Sequence, residues 1–227
     1  MHTISKLLLS AAAFIVSTSL QAADSCQQNW QNGADYSYSA QSGEQKVEAN
    51  WSLIRSGDKF LTIDGHDQIT QGWEVGANGH VKMTQWFDAD KRGIEYQPED
   101  LGNSFAKQQY HSRYSIISPD WIEQLTIIDT NTNCNKISHR RGTVAGFQID
   151  VQWHEHAQLP LELTLTIGDT VQHWQATSPI IDEQRYQQEL IARNSYFTID
   201  KADVGDQESD PFFTGMKAAI HDDRHGH

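Results

Sequence analysis

The sequence predicts an α+β fold: a strongly curved antiparallel β-sheet, a half-barrel, with helices covering its concave face. Three observations predict it. First, residues 143–167 read as two strands meeting at the polar corner His154-Glu155-His156-Ala157-Gln158. Phe147, Ile149, Val151 and Trp153 alternate with polar residues, and Leu161, Leu163, Leu165 and Ile167 do the same on the return strand. Successive strand side chains point to opposite faces, so such a sheet is apolar on one side and must be covered there. Second, residues 46–96 form a run of short alternating segments separated by turn residues. Third, helix starts with proline near the first turn interrupt the strands, which separates sheet from helix as α+β folds do.

In chain order, residues 27–44 are rich in Gln, Asn, Ser and Gly and are expected to form a loop with a short opening helix. The strand at 46–55 puts Val47, Ala49, Trp51 and Leu53 on one face, and Ser56-Gly57-Asp58 turns the chain. Strands at 59–64 and 68–75 follow. Asn78-Gly79 then marks a tight hairpin leading into a strand at 80–87, since both residues tolerate positive φ. Residues 94–96 are the last strand of this meander. Pro98 starts a helix, and Ser118-Pro119 starts another that is expected to carry Trp121, Ile122, Leu125 and Ile128 inward. Residues 129–135 read as a loop and 136–141 as a strand ahead of the organising hairpin. A strand at 170–176 is expected to be the last, broken by Pro179, with a helix at 182–193.

Composition bounds the chemistry. The N-terminal 22 residues look like an export signal: Lys6, an apolar run from Leu7 to Val16, and small residues near Ala22. The run is shorter than the ~20 residues of a membrane span, so the mature chain is expected to be exported, soluble and periplasmic. About 205 residues then remain, enough for one domain. The expected layout is a leader at 1–22, the α+β domain at 23–195, and an acidic, His-rich extension with a short helix at 196–227. The formal charge of −13 disfavours phosphate backbones, so nucleic acid is not an expected partner. Cys26 and Cys134, the two cysteines, are expected to form one disulfide in an oxidising compartment, worth about 4–5 kcal/mol in the chain-entropy picture.

The meander from Val47 to Tyr96, the helix at Pro119, and the hairpin in which Trp153, a polar corner and Leu159-Pro160 follow one another resemble a known group. This is the exported half-barrel superfamily of the lipoprotein carriers, the periplasmic carrier and its outer-membrane receptor, together with the N-terminal domain of an envelope-stress regulator. The resemblance spans roughly Glu44 to Thr177. It implies an apolar cleft between sheet and helices that holds an acyl chain or a peptide. No functional residue of the carriers matches a position here, so none is carried over.

Candidate sites follow from residue type. Trp51, Trp73, Trp86 and Trp153 lie on predicted strands and are candidate walls of such a cleft, or plain core. His154 and His156, two apart on an extended corner, share a side and could offer imidazoles to zinc or copper; a solvated turn is the plainer reading. His221, His225 and His227 could add to a metal site or simply form a hydrated terminus. The acidic run at 200–210 reads as a linker, since it lacks the glycine and distal glutamate of an EF-hand. Phe212 and Phe213 open a short helix expected to dock on the domain or on a partner. The sequence contains no GxSxG elbow and no phosphate loop, so no catalytic residue is assigned. The expected function is non-enzymatic: a carrier or binding module for a hydrophobic ligand. The expected partner is that ligand or an exported protein; the alternative is a periplasmic transition-metal-handling protein using His154, His156 and the His-rich tail, or an accessory subunit of an envelope complex.

Overall fold

The computed structural model describes residues 29–130 and 137–215. Twelve strands form one sheet in the order β12-β6-β5-β4-β3-β2-β1-β11-β10-β9-β8-β7. The first meander comprises β1 (Gly33–Ser42), β2 (Gln45–Ser56), β3 (Lys59–Asp64), β4 (Ile69–Val75), β5 (Val81–Phe87) and β6 (Arg92–Tyr96). The second comprises β7 (Thr126–Thr130), β8 (Ile137–Val144), β9 (Phe147–His154), β10 (Leu159–Ile167) and β11 (Thr170–Pro179). β1 pairs with β11 and joins the two, while β12 (Phe197–Asp200) adds in parallel to β6. The helices are α1 (Pro98–Leu101), α2 (Asn103–Tyr114), α3 (Pro119–Gln124) and α4 (Arg185–Arg193), with a 3₁₀ turn at Lys201–Asp206.

This architecture corrects the expected half-barrel. The sheet is mixed rather than purely antiparallel, and it is not closed into a barrel. Nor do helices roof a concave face. The reason is one of size and placement. Twelve strands spaced ~4.8 Å apart make a layer roughly 50 Å across. The longest helix, α2, has 12 residues and is only ~18 Å long. The helices also divide between the two faces. On the first face, α2 sets Ala106 and Tyr110 against Leu53, Phe60 and Trp73, and α3 sets Ile122 against Ile149, Val151 and Leu163. On the second, α4 sets Tyr186 and Leu190 against Ile54 and Leu61, the alternate residues of the same two strands.

Other local expectations also change. Residues expected to be loop form β1, with Tyr36 fully buried and its ring edge-on to Trp51, 5.9 Å between centroids. The Pro119 helix ends at Gln124, and Ile128 lies on edge strand β7, 54% exposed rather than inward. Part of the acidic run is the 3₁₀ turn, pinned by buried Val204. Cys26 and Cys134 lie outside the described residues.

Two sets of arginine contacts hold the layers together. Arg55, 5% exposed on the first face of β2, is held by backbone carbonyls. Its Nε donates to Tyr114 O at 2.9 Å, Nη1 to Ala157 O at 2.6 Å and Nη2 to Gln158 O at 3.0 Å. Its guanidinium also stacks 4.3 Å from the centre of the Tyr114 ring. One cation thereby ties β2, the end of α2 and the corner between β9 and β10. On the second face, α4 is clamped at both ends. Arg185 donates twice to Asp35, at 2.7 and 2.8 Å, and Arg193 twice to Asp88, at 2.9 and 3.0 Å. Burial pushes the Asp35 carboxyl up, but Arg185, Ser52 and Ser178 outweigh it and hold it below the usual carboxylate range.

Two outcomes test these contacts. Arg55→Met is expected to lower the free energy of unfolding by about 3 kcal/mol, because it strands buried carbonyls, and Arg55→Lys does not restore it for want of the planar fork. Urea denaturation of the three proteins checks this. Asp35 has a depressed folded pKa, so its stabilising effect is present at neutral pH and is lost as the pH falls below about 4. Urea midpoints measured from neutral to acid pH are expected to fall less steeply in Asp35→Asn, which starts lower at pH 7.

Candidate functional site

The clearest recess with mixed apolar and polar walls lies on the second face, between α4 and strands β4, β5 and β6. It has a volume of 550 Å³. Cross-strand register builds its floor. Lys59, Glu74 and Lys82 form one row across β3, β4 and β5, and Leu61, Gly72, Thr84 and Glu95 form the next across β3 to β6. Two glycines shape it. A Cβ on Gly72 would lie 2.8 Å from the Trp86 ring, and one on Gly93 would lie 3.0 Å from it. The indole of Trp86 therefore occupies space that side chains at 72 and 93 would fill, and it lies down along the floor. Isolated glycines within strands mark this kind of close approach, and they were the sequence signal available for the groove.

The opposite wall is α4. Leu190 and Tyr186 face the groove, and Gln187 adds an amide. Burial, with Glu74 adding to it, pushes the Tyr186 phenol up to about 12, so it stays neutral and acts as wall and hydrogen-bonding group. At the mouth, Lys59 pairs with Glu74 at 2.9 Å. The result is an apolar strip of Trp86 and Leu190 with ammonium, carboxylate and amide groups at its rim. Such walls can bury an apolar group and hydrogen-bond a polar one.

The four tryptophans are not gathered at one place. Trp51 and Trp73 belong to the first-face cluster under α2, with Trp73 stacked on Phe60 at 6.1 Å between centroids. Trp153 is packed in the cluster under α3, 3% exposed. Of the four, only Trp86 has its side chain on the second face; Trp73, on β4, also lines the groove. His154 is buried at 3% and its Nδ1 accepts from the Ala157 N–H at 3.1 Å, so it braces the corner, while His156 is exposed. Among the described residues, no group of three or more His, Cys, Asp or Glu side chains is placed to hold a metal ion. His221, His225 and His227 lie outside the described residues. Phe213 is fully buried against Ile94 and Val204, and Phe212 packs on Phe87 at 4.9 Å, so this pair docks on its own domain. Arg92 fixes the segment by donating to Asp210 at 2.9 Å. No helix among the described residues is long and apolar enough to cross a membrane.

No family model matches the chain, and no curated protein matches it. Two solved structures of PNGF-II, in the C2 and P21 space groups, are similar to it at 13% sequence identity and a TM-score of 0.39. The matches cover 74% and 77% of this chain but 31% and 32% of the PNGF-II chains, so the chain spans about a third of their length. A likeness this distant carries no argument about fold or activity.

Proposed function

We propose that this chain is an exported binding module without catalysis of its own, holding an amphipathic ligand, an acyl chain or a short apolar peptide, in the groove beside α4. The single observation that carries the reading is the 550 Å³ recess in which Trp86, laid over Gly72 and Gly93, faces Leu190. Apolar walls with a few polar groups are the usual make-up of a ligand pocket. The apolar strip takes the hydrocarbon part of a ligand, and the rim lysines and carboxylates take its head group. The export signal read at residues 1–22 supports a periplasmic setting.

Titration of the mature chain with a dansyl-labelled undecanoic acid is expected to give a saturable rise in fluorescence. Leu190→Glu is expected to weaken binding at least about tenfold, or ~1.4 kcal/mol; because Leu190 also packs on Ile54 and Leu61, its urea midpoint falls as well, and binding is compared under conditions where both proteins are fully folded. A linear, non-saturating signal would refute the reading, as would equal binding by the variant.

A further inference from the structure

Asparagine is followed directly by glycine at Asn32-Gly33 and at Asn78-Gly79. In such a pair the asparagine side-chain amide carbon lies within ring-closing reach of the next main-chain nitrogen. Glycine leaves that nitrogen unshielded and free to turn, because it carries no Cβ. The sequence makes the two pairs equivalent in this respect, and the structure places them in opposite environments.

Asn78-Gly79 lies in the turn between β4 and β5. Gly76 N–H donates to His80 O at 2.9 Å, and Gly79 N–H donates to Gly76 O at 2.8 Å. Asn78 is exposed. Its Oδ1 accepts from His80 N–H at 3.1 Å, and its Nδ2 lies 3.2 Å from His80 Nδ1. The space around Gly79 is open: a Cβ there would meet only Lys107 Nζ, at 4.0 Å. Releasing the Gly79 nitrogen therefore costs one solvent-facing hydrogen bond, which places the turn at the low end of local opening energies.

Asn32-Gly33 enters β1. Gly33 is buried, and a Cβ on it would collide with Leu53 O. Gly33 N–H donates to Trp30 O at 3.1 Å, Asn32 O accepts from Arg55 N–H at 2.8 Å, and Gly33 O accepts from Ile180 N–H at 3.1 Å. Turning this nitrogen towards the Asn32 side chain would lift the start of β1 off β2 and off the segment that follows β11. That opening is a far larger one than freeing an exposed turn.

We infer that Asn78, and not Asn32, is a site of spontaneous deamidation in the folded protein. The Gly79 nitrogen loses its proton and bonds to Asn78 Cγ. The Cγ–Nδ2 bond breaks, and Nδ2 leaves as ammonia; His80 Nδ1 is close enough to hand it a proton. Water then opens the resulting succinimide ring. Attack at one ring carbonyl gives aspartate, and attack at the other gives isoaspartate, whose main chain runs through Cβ. Water is the co-reactant, and nothing is oxidised or reduced. Either product adds a negative charge close to Lys107, and isoaspartate lengthens by a carbon atom the turn joining the strands that carry Gly72 and Trp86. The chemistry is independent of what the groove beside α4 binds.

Incubation of the folded mature chain in heavy-oxygen water at neutral pH and physiological temperature, followed by peptide mapping by mass spectrometry, tests it. The peptide containing Asn78 is expected to exchange its amide nitrogen for solvent oxygen and to split into aspartate and isoaspartate forms. Asn32 in the same sample is expected to convert at least about tenfold more slowly, the ratio that ~1.4 kcal/mol of extra opening energy produces. In the chain unfolded in urea the two pairs are expected to convert at similar rates. The inference is overturned if folded Asn78 stays intact over a time that converts it in urea, or if Asn32 keeps pace with it in the folded chain. It is equally overturned if Asn32 is as slow in urea as in the folded chain, since local sequence and not burial would then set the difference.

Discussion

Two meanders become one sheet through the antiparallel pairing of β1 with β11, from Ala34 opposite Pro179 to Ser42 opposite Thr170. Residues separated by 138 positions in the chain, such as Ser37 and Gln175, become direct neighbours there. Without that seam each meander would expose a further edge, and both the apolar and the polar rows that run from β2 to β8 would be cut in two. The seam is also braced from outside the ladder. Tyr36, on β1, donates its buried hydroxyl to Pro160 O at 3.0 Å, and Asp35 receives Arg185 from α4. Pairing of this kind rewards the chain only after a long loop has closed, so it belongs to the slower, non-local part of folding.

Face assignment decides what each surface can do. Because side chains alternate, Leu53 and Phe60 face α2 while their neighbours Ile54 and Leu61 face α4. The first face is spent on packing, closed by Arg55 where β2, α2 and the β9–β10 corner converge. The second face is covered by α4 only over β2 to β4. It leaves the groove on one side of that helix and, from β2 across the seam to β8, a polar and solvent-exposed strand face. A buried guanidinium satisfied by carbonyls is an economical closure, because the peptide groups it meets would otherwise lie unpaired in the interior.

Legibility tracked the range of the interaction. The hairpin of β9 and β10 was readable, since a period of two over Phe147 to Ile167 is a local pattern, and so were the Asn78-Gly79 turn and the start of α3 at Pro119. β1 was not, because its inward residues are two tyrosines and two alanines among serines, one aspartate and one glutamine, a composition shared with loops. β7 reads locally as the end of a helix, because Ile128 continues the helical spacing of Trp121, Ile122 and Leu125, and pairing with β8 overrides it. β12 has only four residues, and its partner β6 lies a hundred positions earlier. For the site, Trp86 was among the residues singled out, but the glycines at 72 and 93 that lay its ring flat were not, and tryptophans 51, 73 and 153 serve as core.

Taken alone, the sequence determined which residues alternate, where turns and helix starts fall, the acidic balance, and the residue types available to any site. These are local properties, set by backbone sterics and by the neighbour two or four positions away. Tertiary structure alone decided that the sheet is open and twelve-stranded, that helices lie on both faces rather than over one, and that Trp86 and Leu190 meet. Those outcomes depend on pairings between distant segments, and alternation within a strand says that two faces differ without saying which neighbour will cover either one.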